Sequence, residues 1–387
     1  MILLKNGKVL TMTGVNYDAG DVLVADGKIR AVGAGLCAPE GAQVIDCTGR
    51  TVMPGMIDAH CHIGVFGEGT GFYLLDGNEN TDPATPHIRG LDAVNPQDMA
   101  FAEALEGGVT TVCTGPGSTN VIGGTFAILK TYGQSADEMA LVPDAALKVA
   151  LGENPKRVYG AMKKTPYTRM GNAAVLREAL VRAQEYQRRL DAAARGEGEP
   201  PERDFVLENL VRALRRELPL KIHAHRADDI LTAMRIVREF GLRCTLDHCT
   251  EGYKITEQLR RFGAGALVGP MILDRCKVEL GDSRTDNVVR IAQAGVPFCI
   301  VTDSPCVNVK HLYVQAGCAV SMGLDRAEAL RAVYIGDSEV DVATARNAGL
   351  PCISVSWGFR DRDVLVNAGA ETICDSMDAL YRALREG

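Results

Sequence analysis

The 387 residues are 46% apolar and 24% charged, a globular composition with more chain than one small core needs. A barrel of roughly 250 residues plus an accessory unit accommodates that length. The formal net charge of −7, with no long basic run, argues against nucleic acid or an anionic membrane as the main partner. No apolar stretch reaches the length of a membrane span. The start, Met1-Ile2-Leu3-Leu4-Lys5-Asn6-Gly7, is apolar too briefly for a secretory signal. Twelve cysteines lack C-x-x-C spacing, and Cys113, Cys244, Cys299 and Cys352 lie in strand-like runs, where a thiol acts as a small apolar side chain. The expectation is a cytoplasmic protein in a reducing compartment, a homo-oligomer acting on a small molecule.

Residues 1–51 read as short strands separated by Asn-Gly, Asp-Gly and Thr-Gly turns, a small antiparallel β domain of the sandwich type without clustered chemistry. From residue 52 the pattern becomes strands alternating with helical stretches. Strands are predicted over 52–59, 110–114, 126–131, 146–151, 220–224, 242–247, 264–268 and 298–302. Helices are predicted over 95–106, 172–195, 228–239, 254–261 and 285–294, with the Gly/Glu/Pro-rich insert 196–202 splitting one long connection into two helices. Eight such strands predict an α/β (β/α)8 barrel over 52–332, with its chemistry at the C-terminal ends of the strands.

Those ends carry the informative residues. The first strand closes on Asp58-Ala59-His60-Cys61-His62, and alternation points both histidines to one side, where they can hold one divalent cation. The fourth runs Ala146-Leu147-Lys148-Val149-Ala150-Leu151, with Glu153 just beyond. Its apolar face takes Leu147, Val149 and Leu151 toward the helices, so Lys148 points into the barrel, where a lone ammonium is costly unless paired or modified. The fifth strand places Lys221, His223 and His225 on one face; the sixth ends in Asp247-His248, the eighth in Thr302-Asp303. Five of the seven histidines thus gather on one rim. Arg226, Arg169 and Arg275 could clamp a substrate carboxylate or be ordinary surface arginines. The Gly-rich run 115–124 could approach a ligand or be a simple turn, and it is no phosphate loop because no G-K-[ST] follows. His87 and His311 carry no expected metal role.

These motifs, D-A-H-C-H-I at 58–63, L-K-V-A at 147–150, I-H-A-H at 222–225, D-H-C-T-E-G at 247–252 and V-T-D at 301–303, resemble the amidohydrolase superfamily over residues 1–332, in particular its imidazolonepropionase and prolidase-like branch. The resemblance implies two divalent metals, expected to be zinc: His60, His62 and Asp303 holding one, His223 and His248 the other, and a CO2-derived carbamate on Lys148 between them. It implies hydrolysis of a C–N bond in an amide, dipeptide, N-acyl amino acid or cyclic amide by a metal-bound hydroxide, with Asp303 moving the proton. Two alternatives stay open. Glu153 could replace Lys148, giving a one-metal site with Lys148 and Glu153 as a buried ion pair, and His225 could stand in for His223.

Residues 333–387 read β-α-β-α-β-α, a Rossmann-like fragment resembling the C-terminal part of haloacid dehalogenase-like phosphatases of the phosphoglycolate phosphatase type. Their G-D-S-x-x-D magnesium loop is matched by Asp337 and Asp341, but no D-x-D-G-T nucleophile run exists in the chain. The expectation is a joined-on segment without phosphoryl chemistry; a phosphatase, or a fusion with an impaired site, is the alternative.

Overall fold

A computed structural model describes residues 1–12, 15–67 and 76–333, and the backbone of 353–355 and 372–374. The chain divides into two compact units, one containing Met1–Gly55 and the other Met56–Val333.

In the first unit, β1 (Ile2–Leu10), β2 (Asn16–Ala25), β3 (Lys28–Gly33), β4 (Gln43–Asp46) and β5 (Thr51–Val52) form one sheet in the order β3-β2-β1-β4, with β5 also on β1. Asp26 and Gly27 both adopt left-handed φ, 54° and 70°, the geometry of the tight turn that Asp-Gly predicts between β2 and β3. The sheet is mixed rather than antiparallel as expected: β4 and β5 run parallel to β1. The predicted strand 52–59 is also two strands, because Pro54 cannot donate to a ladder: Val52 pairs with β1, and the second unit starts at Met56.

The second unit is built on an eight-stranded sheet. Its members are β6 (Met56–Cys61), β7 (Val109–Thr114), β8 (Ile122–Lys130), β9 (Ala140–Ala150), β10 (Leu220–Ala224), β11 (Cys244–His248), β12 (Ala266–Val268) and β13 (Phe298–Ile300). They pair in sequence order, and the sheet is drawn together where Asp303 N–H donates to the His60 carbonyl at 3.1 Å and His62 N–H to that of Ser304 at 2.8 Å. All eight predicted strands are present, but the all-parallel (β/α)8 expectation is corrected at the third. β8 is antiparallel to both β7 and β9. The physical reason is connection length: seven residues, 115–121, separate β7 from β8, whereas a parallel crossover needs about a dozen. The inversion brings the start of β8, and the Gly-rich run before it, to the rim where the other strands end.

Helices fill the remaining connections, among them Arg169–Ala194, Phe205–Leu214, Ala227–Phe240 and Asn287–Gln293. Two of these helices start on side-chain caps: Thr168 accepts from Gly171 N–H, and Asp204 from the N–H groups of Val206 and Leu207. The insert 196–202 falls between the first two, as its composition predicts. No helix among the described residues is long and apolar enough to cross a membrane. Of the C-terminal prediction, only a parallel pair, Ile353–Val355 with Thr372–Cys374, lies within the described residues; Asp337 and Asp341 lie outside them.

Candidate metal centre

Two groups of metal-ligating atoms converge at the rim: His60, His62 and Asp303, and His223, His225 and His248, the atoms of each group lying within 4.8 Å of one another. The histidines of the fifth strand are therefore not alternatives in space, since His223 and His225 both join His248. The groups adjoin: the His60 and His248 rings are 5.1 Å apart, and His223 and His248 4.6 Å.

The rings are aimed by bonds from their outer nitrogens. His62 Nδ1 is 2.7 Å from the Gly115 carbonyl and His248 Nδ1 2.9 Å from that of Gly269. A carbonyl can only accept, so each Nδ1 carries the proton and each Nε2 offers a lone pair inward. The Gly-rich run thus fixes the orientation of the His62 ring through the Gly115 carbonyl. The Asp303 Oδ1 oxygen lies 3.2 Å from His62 Nε2 and 3.5 Å from His60 Nε2. His248 and Asp303 hold left-handed φ values, 73° and 53°, unusual outside glycine and costing of order 1–3 kcal/mol each. Asn287 Nδ2 bonding to the Cys249 carbonyl at 2.9 Å and Cys306 N–H to that of Asp303 at 2.8 Å hold these turns in place.

Burial keeps the imidazoles neutral, the form that binds metal. It pushes His60 down to about 3 and takes His223 and His225 well below their ordinary value, with His248 also lowered. Asp303 is held well below the usual carboxylate range, against the raising effect of its burial. Several buried polar atoms here have no hydrogen-bond partner among the described residues, including both ring nitrogens of His60, Nε2 of His223 and Nζ of Lys148. His60 Nδ1 does lie 2.9 Å from Asp247 Oδ2, an electrostatic contact out of line for a hydrogen bond.

Lys148 is fully buried, as alternation along β9 predicts, with its Nζ 5.3 Å from the centre of the Phe126 ring. Burial, reinforced by the neighbouring Lys221 and opposed by Asp247, lowers its amine from 10.5 to about 8. The Lys148–Glu153 ion pair does not form. Glu153 instead starts the helix Glu153–Ala161, and its carboxylate accepts from the Glu279 N–H at 3.2 Å. Arg169 and Arg226 are not turned to the site: Arg169 Nε donates to both Asp229 oxygens, and Arg226 forks onto Asp228. Arg275 does line a cavity of about 690 Å³ beside His225 and His248, together with Thr250, Met271 and Asn287. Neither His87 nor His311 joins a metal-ligating group among the described residues.

Sequence reasoning missed four contributors. Asp247 supports His60 from behind while 3.5 Å from the Lys221 amine, which itself donates to the Ala59 carbonyl. Asp58 accepts from the Thr302 hydroxyl, just before Asp303. Glu279 and Lys277 enter from the segment after β12. The first two lie inside quoted motifs and could have been weighed; nothing local marks the others.

The fold and site were compared with known proteins. The crystal structure of an amidohydrolase from Thermotoga maritima MSB8 superposes with a TM-score of 0.83 at 40% identity, covering 91% of this chain and 90% of that one. Amidohydrolase tasK of Hapsidospora irregularis is 30% identical over 346 residues, which is 81% of this chain; the chain spans 35% of that protein's length. A dihydroorotase of Caldicellulosiruptor saccharolyticus is 22% identical over 339 residues, covering 78% of this chain and 71% of the relative. The chain belongs to the amidohydrolase family, a class of hydrolases acting on carbon–nitrogen bonds. Residues 312–380 match a family model, HAD-hyrolase-like, as the G-D-S-x-x-D run predicts. That match begins inside the second unit, whose last helices are Leu312–Ser321 and Arg326–Arg331.

Proposed function

We propose that this chain hydrolyses the C–N bond of a small amide, dipeptide, N-acyl amino acid or cyclic amide at a centre of two divalent metals, zinc by its donor set. The observation that carries the reading is the pair of adjoining donor groups made of neutral imidazoles and one ionised carboxylate. The fit is chemical as well as spatial, because His60, His223 and Lys148 bury nitrogens that have no hydrogen-bond partner among the described residues. His60, His62 and Asp303 would hold one ion, and His223, His225 and His248 the other. Bound cations would polarise a scissile carbonyl and lower the pKa of water. A Lys148 amine near 8 is neutral far more often than an exposed one, which favours its reaction with CO2 to a carbamate that would add an anionic donor to the site.

The rest of the chemistry falls to the chain's own side chains. Asp303, ionised and only partly exposed, can take a proton from attacking water and return it to the leaving nitrogen. Arg275, on the wall of the 690 Å³ cavity, is placed to meet a substrate carboxylate, and that volume suits a small molecule. The resemblance to a dihydroorotase adds support for cyclic amides among the candidates. The phosphatase reading is carried only by the match over residues 312–380 and lacks the aspartate nucleophile in sequence. The test is a screen of N-acyl amino acids, dipeptides and cyclic amides with and without chelator, alongside metal analysis of His60→Ala, His223→Ala and His248→Ala. Each variant is expected to lose metal and all hydrolysis; metal and activity retained in His248→Ala would overturn the assignment.

A further inference from the structure

The segment between β12 and the helix Asn287–Gln293 passes beside the second histidine group and sends two charged side chains toward it. Glu279 is 2% exposed, and its two oxygens face different ways. Oε2 accepts from the Glu153 N–H at 2.9 Å, while the Glu153 carboxylate accepts from the Glu279 N–H at 3.2 Å. This reciprocal latch ties the segment to the end of β9. It needs Gly152, which has φ of +92° and where a Cβ would come within 2.7 Å of that oxygen. The other oxygen, Oε1, lies 3.7 Å from His225 Nε2 and 3.9 Å from His223 Nε2.

The Lys277 amine donates to His225 Nε2, so that nitrogen carries a lone pair, and a buried carboxylate facing a lone pair is repulsive unless a cation stands between them. Donors about 2.1 Å from one ion lie about 3–3.5 Å apart, close to the separations seen here, and an ion with four side-chain donors still takes water or a carbamate by expanding to five ligands. A cation is indeed present: the Lys277 amine lies 3.4 Å from His225 Nε2 and 3.3 Å from Glu279 Oε1. We propose that Glu279 is a fourth donor to the ion held by His223, His225 and His248, and that the Lys277 ammonium, seated among the same donor atoms, competes with that ion. The Lys277 side chain, 23% exposed, can withdraw toward solvent when the ion arrives. Ammonium and metal then exclude one another by charge, so Lys277 sets the affinity of the second site, and Glu153 is a positioning residue for Glu279. The proposal rests on the two-metal reading above.

The experiment titrates the metal-stripped full chain with Zn2+ in bicarbonate buffer, reading stoichiometry by elemental analysis and affinity by competition with a chromophoric chelator. The wild type is expected to take two Zn2+. Glu279→Gln keeps an oxygen for the Glu153 N–H but loses the charge, and should bind the second ion about 10–100-fold more weakly, with the first unchanged. Lys277→Met should shift the same affinity the other way, a readout that stands even if Glu279→Gln folds poorly. Co2+ loaded in place of Zn2+ should show an altered visible spectrum for the second site in Glu279→Gln, which a purely structural role would not produce. Two ions in the wild type with the second affinity unmoved in both variants would overturn this proposal and leave the two-metal reading intact. One ion or none in the wild type would overturn both.

Discussion

Replacing Lys148 with methionine should make the metal-free protein more stable while removing its ability to hold both metals. Lys148 is fully buried, and its Nζ has no hydrogen-bond partner among the described residues. Burial lowers its amine from 10.5 to about 8, so at pH 7 the folded chain holds an ammonium it would rather expose. A displacement of that size corresponds to about 3 kcal/mol. Because the folded value lies below the unfolded one, this cost is present in full below about pH 8 and is relieved as pH rises from there to 10.5. Methionine fills similar volume without the charge, so the variant should gain about 2–3 kcal/mol at pH 7, roughly 3–5 °C for a unit of this size. The assay is chemical and thermal unfolding of chelator-stripped wild type and Lys148→Met at pH 7 and pH 10. A gain at pH 7 that shrinks at pH 10, with lost metal in the loaded protein, is the expected result. A metal-free variant that is less stable than wild type at pH 7 would refute the reasoning, because it would mean the ammonium is well paired in the folded chain.

Asp58 gives a second pH-dependent outcome. Burial raises its carboxyl to about 7 against the lowering by Thr302, so the folded chain binds an extra proton between about pH 4 and 7 and stability falls as pH rises through that range. Asp58→Asn should flatten that fall in urea unfolding midpoints of the metal-free protein, and an unchanged pH profile would count against it. Gly152→Ala should destabilise by about 1–3 kcal/mol, from the left-handed φ and the clash with Glu279, measured by thermal melts. It should also weaken second-site Zn2+ binding by displacing the latch.

The existence of eight strands, roughly where each ends, and which side chains face inward there all follow from local pattern in the chain. His60, His62, Lys148, His223, His225, His248 and Asp303 were all legible, because alternation with period two is a local property and a strand's rim residues follow from where its apolar run stops. Other features depend on which distant segments meet, and only the tertiary structure decided them. Arg169 and Arg226 could be clamps or surface arginines by sequence, and the choice is made when Asp229 and Asp228 come alongside. Glu153 read as a rival to Lys148 until Glu279, 126 residues away in the chain, takes up its N–H and carboxylate. The parallel pairing of β4 and β5 on β1 likewise follows no local turn signal. Periodicity fixes which face of its own strand a side chain occupies, but a charged group's partner is chosen by the packing that brings loops from other strands to the same rim.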